Sequence, residues 1–475
     1  MRSWHRAILA LWLALGAAQT TVAQIETRAE TYDLTLEDCL AWTFHRYPDI
    51  QRLRTDIERA TGTKLVYRSR ALPQLAGQFN GGLRGGSLYD NSVKIETSAS
   101  NVITTNSVAV WRPQLFGVLT AQFSQPLLDV GIPPTLRRGR LEVVLAQQNL
   151  NREVTDRLHE ARVTFLQALY SRDLIALHED IDKRLQKNVE SEQQRLDVGT
   201  GNEAAVKSAK IQELNLELAL SNLRGYYFSS VTRLAELCGR DSSTGPKEAR
   251  QLWLPKPVGE LRYVPVTVDL PQESAYALQH RADLKLLQAL VDATAADRQA
   301  VQAGYFPTVS LVSTTLLIPQ SLLVHKETAV VAGQDTRSSE VRAGVELSWR
   351  IIDNGQVTGA SHRLEAVRQA YEIALHQLQQ NIPRELAVIQ GELQNADTRR
   401  EALNKSAAEA EENLELIEAL VALGQATQLD FLKAQSNLLS VRVGIAEATY
   451  SHAIACAELD HALGRYLQYH TENPQ

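Results

Sequence analysis

Two histidine–glutamate pairs, His159-Glu160 and His178-Glu179, are the first residues whose types could do chemistry. A zinc-protease helix needs a second histidine three residues beyond the glutamate, so that both imidazoles share one helical face. Neither pair has one, since the residues that follow are Ala161-Arg162-Val163 and Asp180-Ile181-Asp182. The run Gly81-Gly82-Leu83-Arg84-Gly85-Gly86 is glycine-rich, but no lysine follows to reach a phosphate. No Gly-x-Ser-x-Gly elbow occurs. The cysteines, Cys39, Cys238 and Cys456, are scattered too widely for a zinc site or a disulfide framework, and each reads as a small buried apolar residue. The single Met is the initiator, so the remainder of the chain has no thioether with which to hold a soft metal. Carboxylates are abundant but fall on long polar helix faces, where they are solvated. The expectation is no enzyme, no metal and no cofactor.

The elements around these residues explain more. The chain has 475 residues, of which 44% are hydrophobic and 22% charged, so it is not disordered. Its net charge of −6 offers no footprint for nucleic acid. Arg2 and Arg6 precede an apolar run, Ala7 to Ala18, and then Thr21-Val22-Ala23. That order is a secretory leader, expected over residues 1–23. About twelve apolar residues span only roughly 18 Å as a helix, too little for a bilayer core.

The sequence is written twice. Ala41 to Ile50 answers to Ala275 to Leu284, and Leu72-Pro73 answers to Phe306-Pro307. Ser124 to Gly131 (SQPLLDVG) answers to Ser348 to Gly355 (SWRIIDNG). Gly199, Ala209 and Gly239 answer to Gly424, Ala434 and Gly464. The expected division is a first repeat over residues 24–240, a proline-rich linker over 241–271, a second repeat over 272–467 and a tail over 468–475.

Each copy reads as helix, strand, loop, strand and two very long helices. The first helix is expected over 35–71 and its counterpart over 272–303, each stopping before a proline. Thr35 and Asp38 have the spacing of a capping box. Alternation of period two marks four strands. Leu75 and Phe79, Leu119 and Phe123, Val309 and Leu311, and Val345 and Leu347 supply the apolar faces. The polar faces carry residues such as Gln78, Gln122 and Glu346. A soluble sheet with one wet face alternates in the same way. The leader and the missing membrane helix favour an outer-membrane barrel. Four strands cannot close one, because about eight is the practical minimum, so several chains must share it. Polar loops are expected over 85–113 and 319–339.

The long helices are expected over 133–198 and 356–423, roughly 100 Å each, with coiled-coil packing. Pro383 should kink or interrupt the second. Each ends in a turn, Val198-Gly199-Thr200-Gly201-Asn202 or Leu423-Gly424-Gln425-Ala426-Thr427, before a return helix over 203–238 or 428–463.

These residues resemble the TolC-type outer-membrane factors of Gram-negative bacteria over roughly residues 34–466. The resemblance rests on the repeat, on the strand-to-helix junctions SQPLLD and SWRIID, and on the turn stretch Leu423 to Gln435. It implies a homotrimer whose twelve strands form one β-barrel in outer-membrane lipid and whose helices form a tunnel across the periplasm. Such a protein is a passive exit duct for a tripartite efflux or type I secretion system, partnered by a periplasmic adaptor and an inner-membrane transporter. The resemblance also makes the two turns adaptor-docking tips at the periplasmic end. It puts Asp430 at a constriction where the family carries acidic residues. Lys433 stands where a second acid is expected, a departure that gives a mixed-charge ring. The competing expectation is a soluble periplasmic coiled-coil scaffold or adaptor, and the third, an enzyme, lacks motifs.

Overall fold

The computed structural model describes residues 31–92, 106–199, 201–239, 254–318 and 338–466. The expected leader, part of the first expected polar loop (93–105), most of the second (319–337), Thr200, the first part of the expected linker and the expected tail lie outside them. In chain order the elements are β1 (Thr31–Leu34), α1 (Leu36–Arg46), α2 (Pro48–Ser69), β2 (Gln74–Ser92), β3 (Asn106–Leu128), α3 (Ile132–Asp197) and α4 (Glu203–Leu237). Then come β4 (Leu254–Pro257), α5 (Leu270–His280), α6 (Ala282–Gln302), β5 (Thr308–Ile318), β6 (Ser338–Ser348), α7 (Gln356–Ala422) and α8 (Gln428–Leu463). The chain is mainly helical.

The chain divides into two compact units. One comprises residues 1–55, 147–286 and 375–475, and the other 56–146 and 287–374. The first holds the helical core. Along α3, Val154, Leu158, Ala161, Phe165 and Ala168 are buried, and along α7, Ile382, Leu386, Ile389, Leu393 and Ala396. Both runs step by four and three, the seam of a coiled coil. On α8 the seam continues through Ala434, Leu438, Val441, Ala448, His452, Ala455, Leu459 and Ala462. Ile382 and Leu386 pack with Leu459, Leu463, Ala277 and Leu284, which ties α7 and α8 to the short helices α5 and α6. Ile181, Leu185, Leu216 and Leu432 join α3, α4 and α8.

The expected first helix is two helices in each case. Tyr47 leaves helical geometry (ψ 126°) because Pro48 disfavours a helical residue before it. Arg281 breaks the counterpart (ψ 128°) without a proline. Its guanidinium donates to Asp283 at 2.9 Å, to Glu385 at 2.6 Å and to the Ala462 carbonyl at 3.3 Å, so side-chain bonds hold this break. Thr35 caps α1 as its spacing suggests, accepting the Asp38 N–H at 3.2 Å.

Pro383 does not interrupt α7, which runs unbroken from Gln356 to Ala422. Proline leaves the Gln379 carbonyl without its helical donor. Both residues are exposed, so water can fill the place, while neighbouring Ile382 remains fully buried. Within the stretch read as a linker, β4 pairs in parallel with β1, Thr31 opposite Leu254 and Leu34 opposite Pro257. The prolines hid this strand, since a strand with no N–H at two of its positions survives only at an edge.

The second unit holds an antiparallel sheet of order β2-β3-β5-β6. Strands β5 and β6 have 11 residues each, but β2 has 19 and β3 has 23. The hairpin ladder runs on through Gly85 opposite Pro113 to Ser92 opposite Asn106, segments whose polar composition reads as loop. Backbone pairing in a hairpin needs no apolar face, so alternation ends before the strands do. Ion pairs link helices of this unit, Arg138 to Asp297 at 3.0 Å and Arg298 to Glu365 at 3.0 Å.

Candidate functional site: an apolar sheet face and two helix turns

The sheet register gathers the apolar strand residues. Leu75 stands opposite Phe123 and Phe79 opposite Leu119. Leu311 stands opposite Val345 and Val309 opposite Leu347. Between the hairpins Leu119 pairs with Leu317, Phe123 with Ser313 and Leu128 with Val309, across a bulge near Pro126. Because side chains alternate along a strand, these pairings put all eight expected residues on one face, joined by Leu317 and Val341. The opposite face carries the pairs Gln74–Ser124, Gln78–Thr120, Gln122–Thr314 and Ser310–Glu346. Leu75 is 77% exposed, Phe79 68%, Val345 and Leu347 64% each, a contiguous apolar surface that single soluble chains rarely present. Among the described residues β2 and β6 pair on one side only.

The turns are built differently. After α3, Gly199 adopts φ +79°, the left-handed stop that glycine permits, and its N–H donates to the Leu196 carbonyl at 2.9 Å. Gly201 is there for another reason. A Cβ on it would lie 2.7 Å from the Arg195 carbonyl carbon and against the Leu196 nitrogen, so only glycine fits against the last turn of α3. Asn202 then caps α4, its side chain accepting the Ala204 N–H at 2.9 Å. Val198 projects into solvent, and Thr200 lies outside the described residues.

After α7, Gly424 adopts φ +73°, and Gln425 and Ala426 both donate to the Leu420 carbonyl, at 2.9 and 3.3 Å. Leu423 projects into solvent as Val198 does. Thr427 and Asp430 close a reciprocal capping box on α8: the Asp430 N–H donates to Thr427 Oγ1 at 3.3 Å, and the Thr427 N–H donates to Asp430 Oδ2 at 3.1 Å. The threonine hydroxyl donates to the same oxygen at 2.5 Å. These bonds hold the Asp430 carboxyl below the usual carboxylate range, with nearby Lys433 adding a smaller push. Asp430 is thus ionised and already committed to the helix cap. The threonine–x–x–aspartate spacing that identifies Thr35 and Asp38 occurs here too, and was the sequence signal for it.

One α8 residue near the turn reaches another helix. Gln428 Nε2 donates to Asn188 Oδ1 on α3, where Asn188 sits buried on the coiled-coil seam. A polar group at a seam position fixes register.

Long helix pairs joined to a four-stranded antiparallel sheet are the fold of solved outer-membrane channels. Residues 274–465 match the outer membrane efflux protein family model. Over 435 residues the chain is 21% identical to the outer membrane efflux protein BepC of Brucella suis biovar 1 (strain 1330), covering 91% of this chain and 85% of that one. It shares the fold of CusC with a TM-score of 0.71 at 16% identity, over 92% of this chain and 93% of that one. With the outer membrane protein VceC of Vibrio cholerae the TM-score is 0.69 at 17% identity, over 90% and 96%. The fold of these outer-membrane channels therefore extends over nearly the whole chain, and the efflux-protein family model matches its second half.

Proposed function

We propose that this chain is a passive outer-membrane exit duct of an efflux or type I secretion system, resident in the outer membrane of a Gram-negative bacterium and extending into the periplasm. One observation carries the reading: a four-stranded antiparallel sheet with one exposed apolar face and two open edges. An open edge recruits another strand, and an apolar face of this size calls for lipid or protein cover. Three copies would supply twelve strands, enough to close a barrel that four cannot. No helix among the described residues is long and apolar enough to cross a membrane.

The same reading assigns the helical unit to a periplasmic tunnel, with Val198 to Asn202 and Leu423 to Thr427 as the surface for an adaptor that couples the duct to an inner-membrane transporter. Exposed Val198 and Leu423 beside rigid glycine turns fit a knob-like docking surface. Asp430 and Lys433 would line the entrance. Since Asp430 is held by Thr427, a mixed ring there would have negative charges fixed by the helix cap beside exposed lysines. The matching halves of the chain, with helices of 66 and 35 residues in the first and 67 and 36 in the second, fit an ancestral duplication.

The test is the native mass after detergent extraction of an outer-membrane fraction. Three chains' worth, absent from the soluble fraction, is expected. A soluble monomer or dimer that never needed detergent overturns the duct and leaves the periplasmic scaffold in its place.

A further inference from the structure

Cys39 and Cys238 lie 199 residues apart in the chain, yet their Sγ atoms approach to 3.9 Å, and both residues are fully buried. Cys39 is on the first turn of α1, and Cys238 is the C-cap residue of α4. Leu34, Leu40, Leu234 and Leu237 are buried around them, and the Cys39 carbonyl accepts the Thr43 hydroxyl at 2.8 Å. Next to Cys238, a Cβ on Gly239 would lie 2.7 Å from the Arg46 carbonyl carbon, so α1 and the end of α4 meet backbone to backbone.

The corresponding contact in the second half is made by other means. By the offsets that relate the halves, Glu273 stands for Cys39 and Leu463 for Cys238. There Leu463 packs into the apolar cluster, and Glu273 accepts from the Arg465 guanidinium at 2.9 and 3.1 Å. The first half lacks that ion pair at these positions and has two adjoining thiols instead.

We propose that Cys39 and Cys238 form a disulfide in the mature protein, one that pins the N-terminal helix to the end of the first return helix. Bond formation brings the sulfurs about 1.9 Å closer, from 3.9 Å to about 2.05 Å. The reaction is thiol–disulfide exchange. Two thiols meet a disulfide-bearing oxidant, either a protein dithiol oxidase or a small-molecule disulfide; the sulfurs bond, and the oxidant takes up two electrons and both protons and leaves as two thiols. In the folded chain the neighbouring Cys238 sulfur and then burial raise the Cys39 pKa, which keeps it protonated and unreactive. Exchange therefore precedes full burial, and the finished bond is shielded from reductants. The oxidising environment rests on the export reading above.

The experiment uses the full-length gene expressed with its leader. Protein from the envelope is denatured in urea at about pH 8 with excess iodoacetamide already present and no reductant, and measured by intact mass and peptide mapping. The expected result is a chain lacking the leader that carries one label, on Cys456, and three labels after reduction, with a linked Cys39–Cys238 peptide. Three labels without reduction on a processed chain overturn the disulfide while the export reading stands. Three labels on an unprocessed chain remove the export reading and the disulfide with it. A second readout separates the bond from packing. Reductant present during denaturation should lower the thermal midpoint of the wild type and leave that of Cys39→Ser/Cys238→Ser unchanged; equal insensitivity of both overturns the proposal.

Discussion

The Thr427 N–H meets Asp430 Oδ2 at 3.1 Å while the Asp430 N–H meets Thr427 Oγ1 at 3.3 Å. The aspartate that the family resemblance puts at a tunnel constriction is therefore also the N3 half of the capping box that starts α8. Replacing Thr427 by Ala removes half of this box and should destabilise the turn by about 1 kcal/mol. Hydrogen exchange at Gln428 to Phe431 should rise while exchange in the middle of α8 stays constant. The depressed carboxyl adds a sign. The stabilisation is present above the unfolded aspartate value and lost as pH falls through the lower folded one, so the cap should hold across pH 5 to 7.

Gly201 and Gly199 should respond differently to alanine. At Gly201 the new methyl meets the backbone of Arg195 and Leu196, which cannot yield without reshaping the turn. At Gly199 there is open space around the Cβ, and the cost is the left-handed backbone alone, roughly 1 kcal/mol. Gly199→Asn should recover most of that loss, since asparagine tolerates the region, whereas Gly201→Asn should be worse than Gly201→Ala. Thermal melting of the purified protein ranks the four variants.

A charge on the apolar sheet face should be costly, and one on the other face should be accepted. Phe79→Arg or Val345→Arg is expected to lose about 2–4 kcal/mol if the position lies near mid-membrane. Gln122→Arg and Glu346→Lys should assemble normally. The readout is the yield of oligomer on a gel run in mild detergent, and equal tolerance of the two faces would count heavily against a barrel.

His159 gives the helical unit a pH dependence. Burial, reinforced by neighbouring His461, pushes its pKa down to about 4. The ring packs against His461 at a tilt with centroids 4.5 Å apart, while His461 Nε2 bonds Asp156 at 2.9 Å. An unfolded histidine titrates near 6.5. Between those values the unfolded chain binds the extra proton, so stability should fall as pH drops from about 6.5 to about 4. After allowance for screening the loss is on the order of 1–2 kcal/mol. Burial raises the Asp156 carboxyl, but the bond to His461, the His461 charge, Arg152 and Arg157 together bring it below its usual range, so it adds its loss only at more acidic pH. Denaturant midpoints at pH 7 and pH 5 should differ for the wild type and converge for His159→Gln.

Arg281 should matter more than an average surface arginine. It is nearly buried and joins Asp283, Glu385 and the Ala462 carbonyl at the α5–α6 break. Arg281→Met leaves those acceptors short of a donor, and about 2–3 kcal/mol of stability should be lost. A chemical denaturation series with Glu385→Gln as the paired variant measures the coupling.

Patterns of short range were legible in the amino-acid order. Period-two alternation located all four strands of the sheet, and long proline-poor, alanine- and leucine-rich runs bounded α3 and α7 to within a residue or so. Gly199 and Gly424 marked the helix stops because a left-handed residue is a local requirement. The eight apolar strand residues could be named because a strand's two faces are decided by parity alone. What depended on distant partners was not legible. The break at Arg281 is held by Glu385 and the Ala462 carbonyl, a hundred or more residues away, as well as by nearby Asp283, and no proline marks it. Strand β4 forms among prolines because β1 offers it a single edge, and the outer parts of β2 and β3 pair through their backbones where the side chains carry no pattern. Cys39 and Cys238 looked like unrelated buried residues until the end of α4 was folded onto α1. Periodicity is a property of neighbours in sequence, and so the sequence alone determined the elements and their faces; which element meets which is a property of packing, and only the tertiary structure decided it.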